Sequence, residues 1–277
     1  MPWRAWVATL NTQHGEDDIG LWVSPGGDYG VALVADGVSA TGGGGASYLA
    51  ASAAVLACRV HLPYGVSFSA MKRCLSYISR AAEAGKMGDA ALVEALKKRY
   101  YAECSRGGEP CTRPLSVEDA MRLGPVAPEE TGEGRPSSTL LAAVFGGSLV
   151  GFMLLGDGVA MSTGARDTRE ELWVAWGALP QYYEGVRVVR YVELGGGARG
   201  HPVLLLAESE PGRVYVVATD GVDPAALAEA LNALAPRIEE VAASSNPAAE
   251  LLKDVRARVG GFEDDASVAV VYHAPSS

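Results

Sequence analysis

Apolar positions along the chain fall into short strand-like runs followed by longer helix-like ones, and that order occurs twice. The first strand candidates are residues 6–10, 20–23 and 30–35, the last two parted by the turn Ser24-Pro25-Gly26-Gly27-Asp28. An Ala-rich stretch, 46–60, has a helix-favouring composition, and 66–84 and 90–103 are the next helix candidates. Strands resume at 140–145 and 149–155, a hairpin around Gly146-Gly147-Ser148. Strand candidates at 172–176, 186–194 and 214–218 precede helices at 224–234 and 248–259, and 266–272 is a last strand. Pro224 stands where a first helical turn tolerates proline. Grouped strands then grouped helices are not a βαβ alternation. They predict an α+β fold, with antiparallel sheets and helices packed outside. Residues 105–136, rich in Gly, Pro and charge, read as a surface excursion from a single domain spanning 1–277.

Composition narrows the picture. The chain has 277 residues, 48% of them hydrophobic, enough for one large core. A net charge of -10 argues against a general nucleic-acid binder, which needs a basic face. The start of the chain has no sustained apolar run of the kind a signal peptide carries, so a cytoplasmic protein is expected. The uncharged segment 136–156 nearly matches a membrane span in length, but the Gly-Gly turn at its middle makes it a buried hairpin. No membrane association is expected. Of the four cysteines, Cys58 and Cys74 lie in helical patterns as buried thiols. Cys104 and Cys111 bracket a Gly/Pro loop and could pair, although a cytosolic chain usually keeps thiols reduced. Three Asn and two Gln in the whole chain fit a thermophilic source.

The candidate chemistry is acidic. Three apolar runs end in Asp-Gly, at Asp36-Gly37, Asp157-Gly158 and Asp220-Gly221. Asp17-Asp18 and Asp264-Asp265 stand just before two further runs. Asp-Gly alone signals a tight hairpin turn. Asp36-Gly37 and Asp220-Gly221, however, lead toward helices rather than partner strands. Short carboxylates at strand ends, with glycine freeing the backbone, suit hard divalent cations that take oxygen ligands.

These segments together resemble the type 2C metal-dependent protein phosphatases. Glu16-Asp17-Asp18 is similar to the family's first acidic motif, and Val34-Ala35-Asp36-Gly37 with Gly42–Gly45 and Ala46-Ser47 to its Asp-Gly, glycine run and helix start. Ser137-Ser138-Thr139 resembles Gly-Ser-Thr, Gly156-Asp157-Gly158 resembles Gly-Asp-Ser, and Thr219-Asp220-Gly221 resembles Ser-Asp-Gly. Asp264-Asp265-Ala266-Ser267-Val268 resembles the closing Asp-Asn-Ile-Thr-Val. The resemblance implies a four-layer αββα sandwich with two Mn or Mg ions at one end, and a third possible. By position, Asp36 would bridge the ions and Gly37 would offer its carbonyl. Asp220 and Asp264 would bind one ion. Asp17 or Asp18 would hold waters of the other, with Asp18 favoured, and Asp157 would be an outer acid. A hydroxide bridging the ions would attack phosphorus directly. The implied substrate is a protein phosphorylated by a Ser/Thr kinase, in a signalling role.

The chain departs from the family's pattern at several points. The position of the usual phosphate-holding Arg falls on Gln13 or Thr12, leaving His14 or Arg4 as substitutes. Val38 follows Asp-Gly, Ser137 replaces a glycine, and the segment after Gly158 lacks the family's signal. These changes keep a second reading open, a pseudophosphatase acting as a regulatory binding module. Gly42–Gly45 matches neither dinucleotide nor Walker spacing, and His14, His61, His201 and His273 form no triad. Lys97-Lys98-Arg99 reads as a solvated helix face, and Tyr100-Tyr101 as half-buried packing. Trp173, Trp176 and Tyr182-Tyr183 read as core.

Overall fold

The structure is a computed structural model that describes residues 2–11, 14–38, 43–85, 87–127, 135–164, 173–176 and 191–275 (backbone alone at 87–89, 164 and 173–176). The strands are β1 Trp3–Leu10, β2 Asp18–Val23, β3 Tyr29–Ala35, β4 Ser137–Ser138, β5 Leu140–Gly146, β6 Leu149–Leu155, β7 Val159–Gly164, β8 Trp173–Trp176, β9 Tyr191–Glu193, β10 Gly197–Arg199, β11 Val203–Glu208, β12 Arg213–Ala218 and β13 Ala266–His273. The α-helices are α1 Gly44–His61, α2 Phe68–Ala84, α3 Met87–Cys104, α4 Val117–Leu123, α5 Pro224–Leu234, α6 Ile238–Ser244 and α7 Pro247–Val259.

Two five-stranded sheets dominate, ordered β1-β13-β12-β7-β8 and β11-β6-β5-β3-β2, with antiparallel pairing throughout. Strand alternation sorts the side chains into layers. Ala32 and Val34 of β3, with Ala269 and Val271 of β13, enter the core between the sheets, beside Phe145, Phe152 and Tyr215. Their neighbours Val31, Leu33 and Ala35 face α1 and α2. Val268, Val270 and Tyr272 face α5 and α7. The result is helix, sheet, sheet, helix: the αββα sandwich expected from sequence.

Local signals set the helix ends. The Ser67 hydroxyl accepts from Ala70 N at the start of α2, Asp223 accepts from Ala226 N before Pro224, and Asn246 accepts from Ala248 N and Ala249 N before Pro247. Segment Gly44–Tyr64 is long and apolar enough to span a bilayer by length and composition, yet 56% of that window is buried. Its alanines pack against β3 and β5, which is the place of a core helix.

Sequence patterning placed α5 to the residue but left out β4, β7, β10, β11 and α6. Of the strand candidate at 186–194, residues 186–190 lie outside the described residues, and β9 falls within the remainder. Trp173 and Trp176 are described by backbone only, and Tyr182-Tyr183 not at all. Within 105–136 the chain forms α4, closed by a capping box between Ser116 and Asp119. A disulfide joins Cys104 to Cys111. Cys111 in turn exchanges two backbone hydrogen bonds with Thr9, which ties α3 and this segment to the end of β1. Cys58 and Cys74 are free, buried thiols with their sulfurs 3.4 Å apart.

Candidate metal centre

The acids gather where the strands of both sheets end. Asp36 follows β3, Asp157 follows β6, and Asp220 stands two residues after β12. One carboxylate oxygen from each lies within 4.8 Å of the others. None of the three Asp-Gly pairs is a hairpin turn. Asp157-Gly158 joins β6 to β7, strands of different sheets, so the chain crosses the sandwich there.

The Asp36-Gly37 turn is held on two sides. Ser137-Ser138-Thr139 braces it like an extra strand: Val38 N donates to Ser137 O at 2.9 Å, Thr139 N to Asp36 O at 2.8 Å, and Asp36 N to the Thr139 hydroxyl at 3.0 Å. On the other side Gly43 lies against Gly37. A Cβ on Gly43 would overlap Val38 N, Gly37 C and Ser137 O, so only glycine permits this approach.

Strand alternation separates Asp17 from Asp18. Ile19 of β2 points into the core between the sheets, and Asp17 has the same parity. Asp17 is fully buried against Asp36, and the Thr219 hydroxyl donates to its Oδ2 at 3.0 Å. Its Oδ1 has no partner at hydrogen-bond geometry. Asp18, favoured from sequence as the ligand, points the other way. Its Oδ1 accepts from Tyr101 OH at 2.6 Å and from Ile19 N at 2.8 Å, and Lys97 Nζ lies 3.7 Å from its Oδ2. Asp18 is thereby held by α3, and Asp17 is the one of the two that lies against Asp36.

Lys97 and Tyr101 are corrections to the sequence reading. Arg99 is half exposed and Lys98 a third, as a solvated face requires, but Lys97 is wholly buried, and so are Tyr100 and Tyr101. The Asp18 carboxylate beside them is what the pattern of α3 alone could not reveal. Asp265 also has a role that spacing did not signal. Its carboxylate accepts from His14 N at 3.3 Å and Glu16 N at 2.9 Å, fixing the loop that carries Asp17.

Asp264 stands at the mouth of a cleft of about 610 Å³ that also includes Asp220, Asp223, Glu263, Val259 and Phe262. No basic side chain lines it among the described residues. Gln13 and Thr12 lie outside the described residues. His14 is exposed next to Asp265, whereas Arg4 pairs with Tyr272, far along β1 from the end where the acids meet.

Burial and mutual repulsion drive the carboxyl groups upward in pKa. Asp17 is pushed up to about 7, by burial first and then by Asp265. Asp36 is raised well above the carboxylate range by burial, Asp17 and Asp220. Asp220 rises to about 6 through desolvation, then Asp157 and Asp264, while burial raises Asp157. An all-oxygen donor set at this spacing, with a buried carboxylate oxygen left unpartnered, fits a hard divalent cation.

The sign of the shift predicts how the metal-free protein responds to pH. A carboxyl group whose folded pKa exceeds its unfolded 3.8 stabilises the fold fully below that value and loses the contribution as pH rises through the folded value. In EDTA, stability should therefore fall as pH rises from the unfolded 3.8, up to about 6 through Asp220 and about 7 through Asp17, with a slope on the order of 1.4 kcal/mol per pH unit for each such group. Added Mn should flatten the slope, because the cation replaces the protons. Urea midpoints across this range test it, and a midpoint that rises with pH in EDTA contradicts the electrostatic description.

Comparisons with known proteins identify the family and the fold. A family model described as Protein phosphatase 2C matches residues 10–255, which includes Asp17, Asp18, Asp36, Asp157 and Asp220 but not Asp264 or Asp265. No curated protein matches the sequence. Among solved structures, the serine/threonine phosphatase PstP/Ppp of Mycobacterium tuberculosis aligns with a TM-score of 0.58 at 18% identity, covering 99% of this chain and 100% of that one. The catalytic domain of PstP in complex with two manganese ions gives 0.53 at 15% identity, with 99% of each chain covered. PppA, a regulatory component of the type VI secretion system in Pseudomonas aeruginosa, gives 0.55 at 14% identity, with 98% of each chain covered.

Proposed function

The chain belongs to the protein phosphatase 2C family, and from that membership we propose that it is a Mn- or Mg-dependent phosphoprotein phosphatase acting on phosphoserine and phosphothreonine. The observation that carries the reading is the meeting of Asp36, Asp157 and Asp220 carboxylate oxygens within 4.8 Å, from three separate strand ends. Asp36, the Gly37 carbonyl, Asp220 and Asp264 would hold two ions. Asp17, rather than Asp18, would hold water on the buried side, and Asp157 would serve a possible third ion. Bound Mn or Mg would lower the pKa of a coordinated water and offset charge on the phosphoryl group. The protein's own part is to fix the acids: Thr219 orients Asp17, Thr139 and Ser137 hold the Asp36 turn, and Asp265 anchors the loop before Asp17. The proposed location is the cytoplasm.

The test is Mn-dependent release of phosphate from phosphoserine and phosphothreonine peptides, with p-nitrophenyl phosphate as a general substrate. Saturable release that EDTA abolishes is the expected result. The absence of a basic side chain from the cleft among the described residues favours one competing reading, a catalytically weak or inactive pseudophosphatase acting as a regulatory binding module. Two ions bound by calorimetry, with no release from any of these substrates, would decide for that reading.

A further inference from the structure

We infer that Lys97 is a positioning residue for the metal centre, a buried ammonium that clamps the Asp17 loop to the glycine turn behind Asp36-Gly37. The inference rests on the proposed metal centre and deepens it. Lys97 lies on α3, outside all the acidic motifs, and is fully buried. An ammonium has three N–H donors. Here all three have acceptors: Glu16 O at 3.0 Å, Gly44 O at 2.8 Å and Ser47 Oγ at 2.5 Å. The Ser47 hydroxyl points back at the same two carbonyls, so amine and hydroxyl form one knot around Glu16 O and Gly44 O.

The two carbonyls belong to the two turns whose spacing matters most. Glu16 immediately precedes Asp17. Gly44 follows Gly43, whose backbone lies directly on Gly37. Moving Gly44 therefore moves the support of the Gly37 carbonyl, and moving Glu16 moves Asp17 relative to Asp36. Asp18 offsets the charge from the remaining side, and Tyr101, one helical turn along α3, holds Asp18 in place. A lysine whose whole donor set is spent on backbone and hydroxyl oxygens of two ligand-bearing turns controls their separation. It does so without touching an ion or a substrate.

The experiment compares wild type with Lys97→Met, which keeps the apolar stem, and Ser47→Ala, which removes only the hydroxyl from the knot. Mn affinity is read by calorimetry, and phosphate release is followed against Mn concentration. For Lys97→Met we expect Mn affinity to weaken by at least ~10-fold, as for other residues that orient ligands from behind. Its rate at saturating Mn should fall far less than the affinity does. Ser47→Ala should shift affinity in the same direction by about 3-fold. A folded Lys97→Met protein whose Mn affinity stays within about 2-fold of wild type overturns the clamp. Should Lys97→Met not fold, Ser47→Ala decides, and unchanged Mn affinity there overturns it equally. If wild type binds Mn but releases no phosphate, the phosphatase reading fails while the calorimetric comparison still judges the clamp. If wild type binds no Mn, both fall.

Discussion

Asp36→Asn should reduce Mn-dependent phosphate release on the order of 10²–10³-fold while leaving the fold intact. The reasoning is electrostatic. Asp36 is the acid nearest to most others: Asp17, Asp157 and Asp220 all act on it. In the metal-free protein burial and the neighbouring acids disfavour the Asp36 carboxylate, and asparagine removes that cost, so the variant should be as stable as wild type or more so. With cations the balance reverses, because the central carboxylate is the one that two ions can share. The asparagine keeps the shape, so the Asp36 backbone bonds to Thr139 persist. Thermal melting in EDTA and steady-state release across a Mn series check both halves. A variant with near wild-type turnover at any Mn concentration would remove Asp36 from the centre.

The second large effect separates two adjacent acids. Asp18→Asn should cost about 3–5 kcal/mol of stability, because it removes the first of the acids that offset the buried Lys97 ammonium. Asp17→Asn should cost little stability, since Asp17 sits among like charges and its pKa is already pushed up to about 7. Activity should show the opposite order: Asp17→Asn inactive even at high Mn, Asp18→Asn active at temperatures where it is folded. Urea unfolding and turnover on the two variants give a crossed pattern. If Asp18→Asn is the stable, inactive one, the orientation of the two side chains is reversed.

Antiparallel sheets with helices outside were legible in the order of apolar runs, because strands buried on both faces read as unbroken apolar stretches such as 149–155 and 266–272, whereas the four-layer αββα arrangement came with the family resemblance. What escaped notice was short or locally ambiguous. β4 is two residues long and is defined by its bridge to Gly37 and its pairing with β9, neither of which a local window contains. β7 follows Asp157-Gly158, where the pattern gave no sign that the chain changes sheets. The choice between Asp17 and Asp18 was decidable in principle, since Ile19 is the core-facing residue of β2 and period two carries its parity back to Asp17. Lys97 was not decidable. A lysine next to Lys98 and Arg99 looks solvated until the carbonyls of residues 16 and 44 are known to surround it.

β13 lies between β1 and β12, although it comes last of all the strands in sequence. The sheet that carries Asp220 therefore cannot close until residues 266–273 have been made and inserted, and Asp264 and Asp265 arrive with them. Contacts this distant in sequence form slowly, and they reward the chain only once the loop between them is closed. On the ribosome, every nascent form that ends before β13 lacks the strand that joins β1 to β12. The proposed phosphate release should thus begin only once residues 266–273 have joined the sheet.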